Sequence, residues 1–130
     1  FSRKKAMTQT QAVLALIDDY FNLAYEPTSR DFNKVFHPSC LVQWVQEGQL
    51  NTLSSQDYSA LIHGRPSPRS TGAPRDEAIL RIENISDLLS TATVRVRIGK
   101  KLFNDHFVMH RVEGQWLIAT KASFEVHVFD

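Results

Sequence analysis

Apolar and polar positions alternate along the C-terminal third of the chain. Ala92, Val94, Val96 and Ile98 interleave with Thr93, Arg95 and Arg97. A period of two means a strand with one buried and one wet face. Trp116, Ile118, Ala122 and Phe124 repeat the pattern on a last strand. Turns near Gly99–Leu102 and at Glu113-Gly114-Gln115 make three antiparallel strands from about Ala92 to Phe124. The N-terminal part has a helical period instead. Val13, Leu14, Ile17, Tyr20, Phe21, Ala24 and Tyr25 share one helix face over about Thr10 to Tyr25. Thr8 and Gln11 fit a capping box, and Pro27 stops the helix.

A short second helix is expected next, capped by Thr28 or Ser29, with Phe32, Val35 and Phe36 on one face and His37-Pro38 as its end. Leu41–Val45 and Gln49–Leu53 read as a hairpin around Glu47-Gly48. Ser54 caps a third helix that carries Tyr58, Leu61 and Ile62 and ends at His63-Gly64. Arg65 to Arg75 is a loop by composition, and a further strand runs from about Asp76 to Ser86. Helices followed by strands indicate an α+β fold: three N-terminal helices packed on a curved antiparallel sheet. Such a sheet curls into a cone, and an aromatic-lined cone is a candidate small-molecule pocket.

The chain has 130 residues, which suits one domain over 1–130, with 1–7 as a flexible extension. Fifteen Lys and Arg against 14 Asp and Glu leave a net charge of +1, which argues against a nucleic-acid partner. No apolar run is long enough to span a membrane. The single cysteine, Cys40, fits a reducing, cytoplasmic setting and has no adjacent base to make it a nucleophile. No metal or other cofactor is expected. His106 and His110 share a strand face, but four strand residues span roughly 13 Å, too far for one tetrahedral metal.

Asp105 is the foremost candidate for chemistry. It shares parity with Phe107 and Met109, so it should face the helices, while Arg97 should point away. A desolvated acid there suits a general acid or base, and its replacement by Asn should stabilise the protein at neutral pH. His37 and His63 are candidate assistants at helix ends. Tyr20, Phe36, Trp44, Tyr58, Phe107, Trp116 and Phe124 are the aromatics expected along the cone; all but Trp116 are candidate ligand contacts. Arg65, Arg69 and Arg75 could together clamp an anion; in the favoured reading Arg65 and Arg75 staple the loop by pairing with Asp76, Glu77 or backbone carbonyls.

Tyr20-Phe21, Phe36-His37-Pro38 and Gly114-x-Trp116-x-Ile118 resemble the nuclear-transport-factor-2-like (NTF2-like, SnoaL-like) superfamily. His63-Gly64-Arg65-Pro66-Ser67-Pro68, Pro74-Arg75-x-Glu77, Asp105 and Trp116 to Lys121 resemble its bacterial "putative lumazine-binding" branch. The resemblance spans about Thr10 to Phe124. It implies the NTF2-like cone, and its members include steroid isomerases, dehydratases, polyketide cyclases and non-catalytic binding or dimerising domains. The branch name implies a flavin-precursor ligand. The expected function is a small-molecule-binding homodimer of unknown ligand. The alternatives are a cofactor-independent lyase or isomerase using Asp105, and a purely structural dimerisation module.

Overall fold

The computed structural model describes residues 7–130. The elements are α1 (Gln9–Tyr25), β1 (Phe36–Gln46), β2 (Gln49–Ser54), α2 (Ser55–Gly64), β3 (Glu77–Ser86), β4 (Leu89–Ile98), β5 (Lys101–Val112) and β6 (Gln115–Val128). Thr8 and Gln11 form the reciprocal cap of α1: the Gln11 amide donates to Thr8 Oγ1 at 3.1 Å and the Thr8 amide to Gln11 Oε1 at 2.9 Å. Ser54 Oγ accepts from the Asp57 amide at 3.1 Å and starts α2. Each cap satisfies donors that a helix start leaves free.

The expected second helix is absent. Two single 3₁₀ turns, Pro27–Ser29 and Phe32–Lys34, take its place, so the described residues form two α-helices rather than three. The residues supply only Phe32, Val35 and Phe36 as buried apolar groups, too short a run to propagate a helix. Phe36, His37 and Pro38 instead open β1. Of the expected N-terminal extension over 1–7, only Met7 lies within the described residues, and it is exposed.

The six strands run β2-β1-β6-β5-β4-β3, antiparallel except for the β1–β6 pair, which is parallel. Two hairpins turn on left-handed dipeptides, Glu47-Gly48 (φ 52° and 76°) and Glu113-Gly114 (φ 50° and 79°). Two consecutive positive φ values match the right-handed strand twist, and glycine takes the second without steric cost. Both helices lie on one face of the sheet. The core is continuous from Val13, Ile17 and Tyr20 on α1, through Phe36 and Val42 on β1, to Val94, Val96, Phe107, Met109 and Ile118 on the sheet.

Beta 6 contains the irregularity that shapes the site. Val108 pairs with Thr120, but the next β5 residue, Met109, pairs with Ile118, which leaves Ala119 unmatched. An unpaired residue in one strand is a β-bulge, and it reverses side-chain parity. Before the bulge Trp116 and Ile118 are buried; after it Lys121 is buried and Phe124 is 69% exposed. The partner strand shifts register at the same level, where Phe36 pairs with Ile118 and Leu41 with Thr120. Pro38, which has no N–H to give a ladder, sits within that irregular stretch.

Candidate functional site

Asp105 is buried at the middle of β5, on the helix-facing side, as its parity predicts. Its register partner is Ser123, whose Oγ donates to Oδ1 at 2.6 Å. Tyr20, from the fourth turn of α1, donates its hydroxyl to Oδ2, also at 2.6 Å. Lys121 stands one inward position along β6, with Nζ 3.8 Å from Oδ2. Its stronger contact is to Tyr58 of α2, whose hydroxyl oxygen accepts from Nζ at 2.7 Å. Nζ also lies 4.3 Å from the centre of the Tyr58 ring and 5.4 Å from that of Tyr20. Five side chains from α1, α2, β5 and β6 thus form one polar chain through the core.

The electrostatics hold the protons of Lys121 and Tyr20. Burial pulls the Lys121 pKa down, but the Tyr58 oxygen and the Asp105 carboxylate outweigh it, and the net shift is upward. Burial, and then the Asp105 carboxylate, push the Tyr20 phenol well above its usual value. The Arg65 guanidinium opposes both shifts, which sets its charge close to this chain. Lys121 is therefore a fixed ammonium and hydrogen-bond donor at neutral pH, not a nucleophilic amine.

On the far side of Lys121 the cone opens into a cavity of about 390 Å³. Its walls are Val42, Trp44, Leu53, Leu61, Ile98 and Phe103; Tyr58, Lys121 and Ser123 form its polar floor, and Arg65, Lys101 and Glu125 stand along its lining. Lys101 and Glu125 pair with each other at 3.3 Å. Asp105 is not part of the lining. Among the described residues no cluster of three or more His, Cys, Asp or Glu could hold a metal ion.

A family described as "Putative lumazine-binding" matches residues 8–124. The chain belongs to that family. Solved structures carry the same fold. An NTF2-like protein of unknown function from Shewanella baltica OS155 superposes with a TM-score of 0.77 at 21% identity, covering 94% of this chain and 99% of that one. One from Silicibacter pomeroyi DSS-3 gives 0.74 at 18%, with 92% and 99% covered. One from Methylobacillus flagellatus KT gives 0.70 at 16%, with 95% and 97% covered. At these identities the likeness establishes the NTF2-like cone and nothing of chemistry. No curated protein matches the chain.

Within this lumazine-binding-family cone the expected residues divide three ways. Trp44 and Tyr58 line the cavity. Tyr20, Phe36 and Phe107 are fully buried in the core behind it, and Trp116 is buried as well. Phe124 is corrected outright: the bulge at Ala119 turns it to the outer face, away from the cone. His37 does not end a helix; it lies in β1, where its Nδ1 accepts from the Ser39 amide at 3.0 Å. His63 is in the last turn of α2, with Nδ1 2.7 Å from the Ser59 carbonyl oxygen. Neither histidine lines the Lys121 cavity. Arg97 points away from Asp105, as expected, and stacks over Phe129.

The loop is held differently from its expected stapling by arginines. Arg75 does pair with Glu77, at 2.9 Å, and lies over the Tyr25 ring. Asp76 is taken by Arg95 instead. The remaining order comes from Ser67: its Oγ donates to Glu26 Oε1 at 3.2 Å and accepts from the Ser70 amide at 3.0 Å. The Arg69 amide ties the loop to the Tyr25 carbonyl at the end of α1. Arg65 makes no ion pair among the described residues.

Proposed function

We propose that the chain is a small-molecule-binding NTF2-like domain that works as a homodimer. The observation that carries the reading is the open cavity with a buried, protonated Lys121 at its floor. Apolar walls with a few convergent polar groups are the ordinary make-up of a ligand site, and burying an ammonium costs free energy that packing alone does not repay. The family description points to a flavin precursor as one candidate ligand.

The arrangement favours binding over acid–base catalysis by Asp105. Both its carboxylate oxygens already accept protein hydroxyls, and it has no face on the cavity. A group that exchanges protons with substrate must come within hydrogen-bond reach of it. Asp105 is better described as the anchor that fixes Tyr20, Ser123 and Lys121.

The dimer reading rests on the outer face. Phe124 is 69% exposed on β6, a strand interior to the sheet. Exposed apolar groups in the body of a sheet suit a two-fold partner of the same chain. The buried thiol of Cys40 supports a reducing, cytoplasmic setting. A thermal-shift screen of planar and aliphatic metabolite-sized compounds tests the site: a saturating binder raises Tm by mass action. A screen in which no compound raises the Tm of the protein is incompatible with the reading. Light scattering should give twice the chain mass, falling to one chain mass for Phe124→Glu; a wild-type monomer at micromolar concentration removes the dimer.

A further inference from the structure

The cavity's charges do not balance. Lys101 and Glu125 pair at 3.3 Å and cancel. Lys121 is offset by Asp105 behind it, at 3.8 Å. Arg65 is left: it lines the cavity, and no described acid pairs with it. One positive charge is therefore uncompensated.

The hydrogen bonds are unbalanced in the same direction. The Tyr58 oxygen accepts from Lys121, and its own O–H makes no hydrogen bond to any described residue. A phenol that accepts from an ammonium is polarised, and its O–H becomes a stronger donor. Ser123 spends its proton on Asp105. The floor and lining thus offer a phenolic O–H, an ammonium and a guanidinium. No carboxylate on the lining is left unpaired. The walls are apolar, with two aromatic faces from Trp44 and Phe103.

We propose that this cavity takes an amphipathic monoanion: an apolar, preferably aromatic body with one carboxylate or similar acid head, received by the Tyr58 hydroxyl and Arg65, with Lys121 behind them. The inference rests on the cavity being a ligand site and adds the class of ligand. Charge-assisted hydrogen bonds give the head its selectivity, and the apolar walls take the body. Arg65 presents a fork suited to two acid oxygens; Tyr58 presents a single donor. Lys121 acts on the ligand through Tyr58 as a positioning residue. A neutral ligand of the same shape would leave Arg65 desolvated without a partner, which is costly.

The test uses two isosteric probes, 2-naphthoate and 2-naphthamide, titrated into the full chain by calorimetry. The acid should bind at least about tenfold more tightly than the amide. Arg65→Gln should remove most of that preference by weakening the acid and strengthening the amide, and Tyr58→Phe should narrow it by weakening the acid more than the amide. Arg65 is at the lining, so its replacement leaves the core intact, and Tyr58→Phe keeps the ring. High salt should weaken the acid and spare the amide. Equal affinities for acid and amide in the wild-type protein overturn the monoanion inference and leave the cavity as a site. An acid preference that survives both substitutions overturns the assignment of Arg65 and Tyr58. Binding of neither probe overturns the inference and the ligand-site reading with it.

Discussion

The two ends of the concave face are built from the same alternation, yet one is solid and the other hollow. At the solid end α1 lies across β3, β4 and β6, and Val13, Ile17, Val94, Phe107 and Met109 have no exposed surface. At the hollow end the ten-residue α2 covers β1 and β2 only in part, and the strands run on beyond it. Ile98, Phe103, Ser123 and Glu125 therefore face a cavity instead of a helix. The polar chain of Tyr20, Asp105, Ser123, Lys121 and Tyr58 marks the boundary. The difference teaches that helix coverage, rather than strand pattern, decides whether an inward-facing residue becomes core or cavity wall.

Breaking the boundary should have the largest effect. Asp105→Ala leaves the buried Lys121 ammonium without its counter-charge and the Tyr20 and Ser123 hydroxyls without their acceptor, and should cost about 3–5 kcal/mol in urea unfolding. Asp105→Asn should also destabilise, the reverse of what a solitary desolvated acid would do, because the carboxylate accepts from Tyr20 and Ser123 beside Lys121. Pairing the change with Lys121→Met should recover much of the loss, since the uncompensated charge goes with it. A double variant no more stable than Asp105→Ala would show that the ion is not the source of the cost.

Next in size is truncation at the two ends. Phe107→Ala at the solid end should cost about 3–5 kcal/mol, as for other fully buried aromatics. Trp44→Ala at the hollow end should cost only about 1 kcal/mol, because its ring already borders open space. Similar losses at both positions would mean that the cavity collapses in solution.

Alkaline pH should act on the boundary more gently. Tyr20 and Lys121 both have pKa values raised by folding. A raised pKa means that the folded state holds its proton longer than the unfolded chain does. Their stabilisation is full below the unfolded values, near 10 for tyrosine and 10.4 for lysine, and is lost as pH rises through the higher folded values. Unfolding midpoints should therefore decline above about pH 10. Tyr20→Phe should flatten that decline. The smallest effect concerns Cys40, whose thiol burial pushes up to about 11. It should resist alkylation at neutral pH until the protein unfolds, because thiolate is the reactive form.

Much of the solid end was legible in the sequence. The Thr8 cap, the strand parity of Val94 and Val96, the inward side of Asp105 with Phe107 and Met109, and the buried Trp116 follow from local pattern. The hollow end was only partly legible. Trp44 and Tyr58 stood out as aromatics, but Lys121 did not, because unbroken alternation from Trp116 to Phe124 puts it on the wet face. The bulge at Ala119 reverses that, and bulges depend on pairing with both neighbours, which one strand's pattern does not contain. A trace existed: Ala119-Thr120-Lys121-Ala122-Ser123 interrupts the apolar beat in mid-strand. Arg65 was legible in the sequence as part of a possible anion clamp, but not as the favoured reading. Its neighbours in sequence suggested a stapled loop, and only the tertiary course of Ser67 and Arg75 leaves it free for the cavity.

The contrast between the ends is tested most directly by side-chain carbon NMR during titration with 2-naphthoate. Trp44, Leu53, Tyr58 and Leu61 should shift along a single saturable curve, while Val94, Phe107 and Met109 stay in place. Perturbations centred on Phe124 and the outer face, or spread evenly over both ends, would contradict a ligand site floored by Lys121.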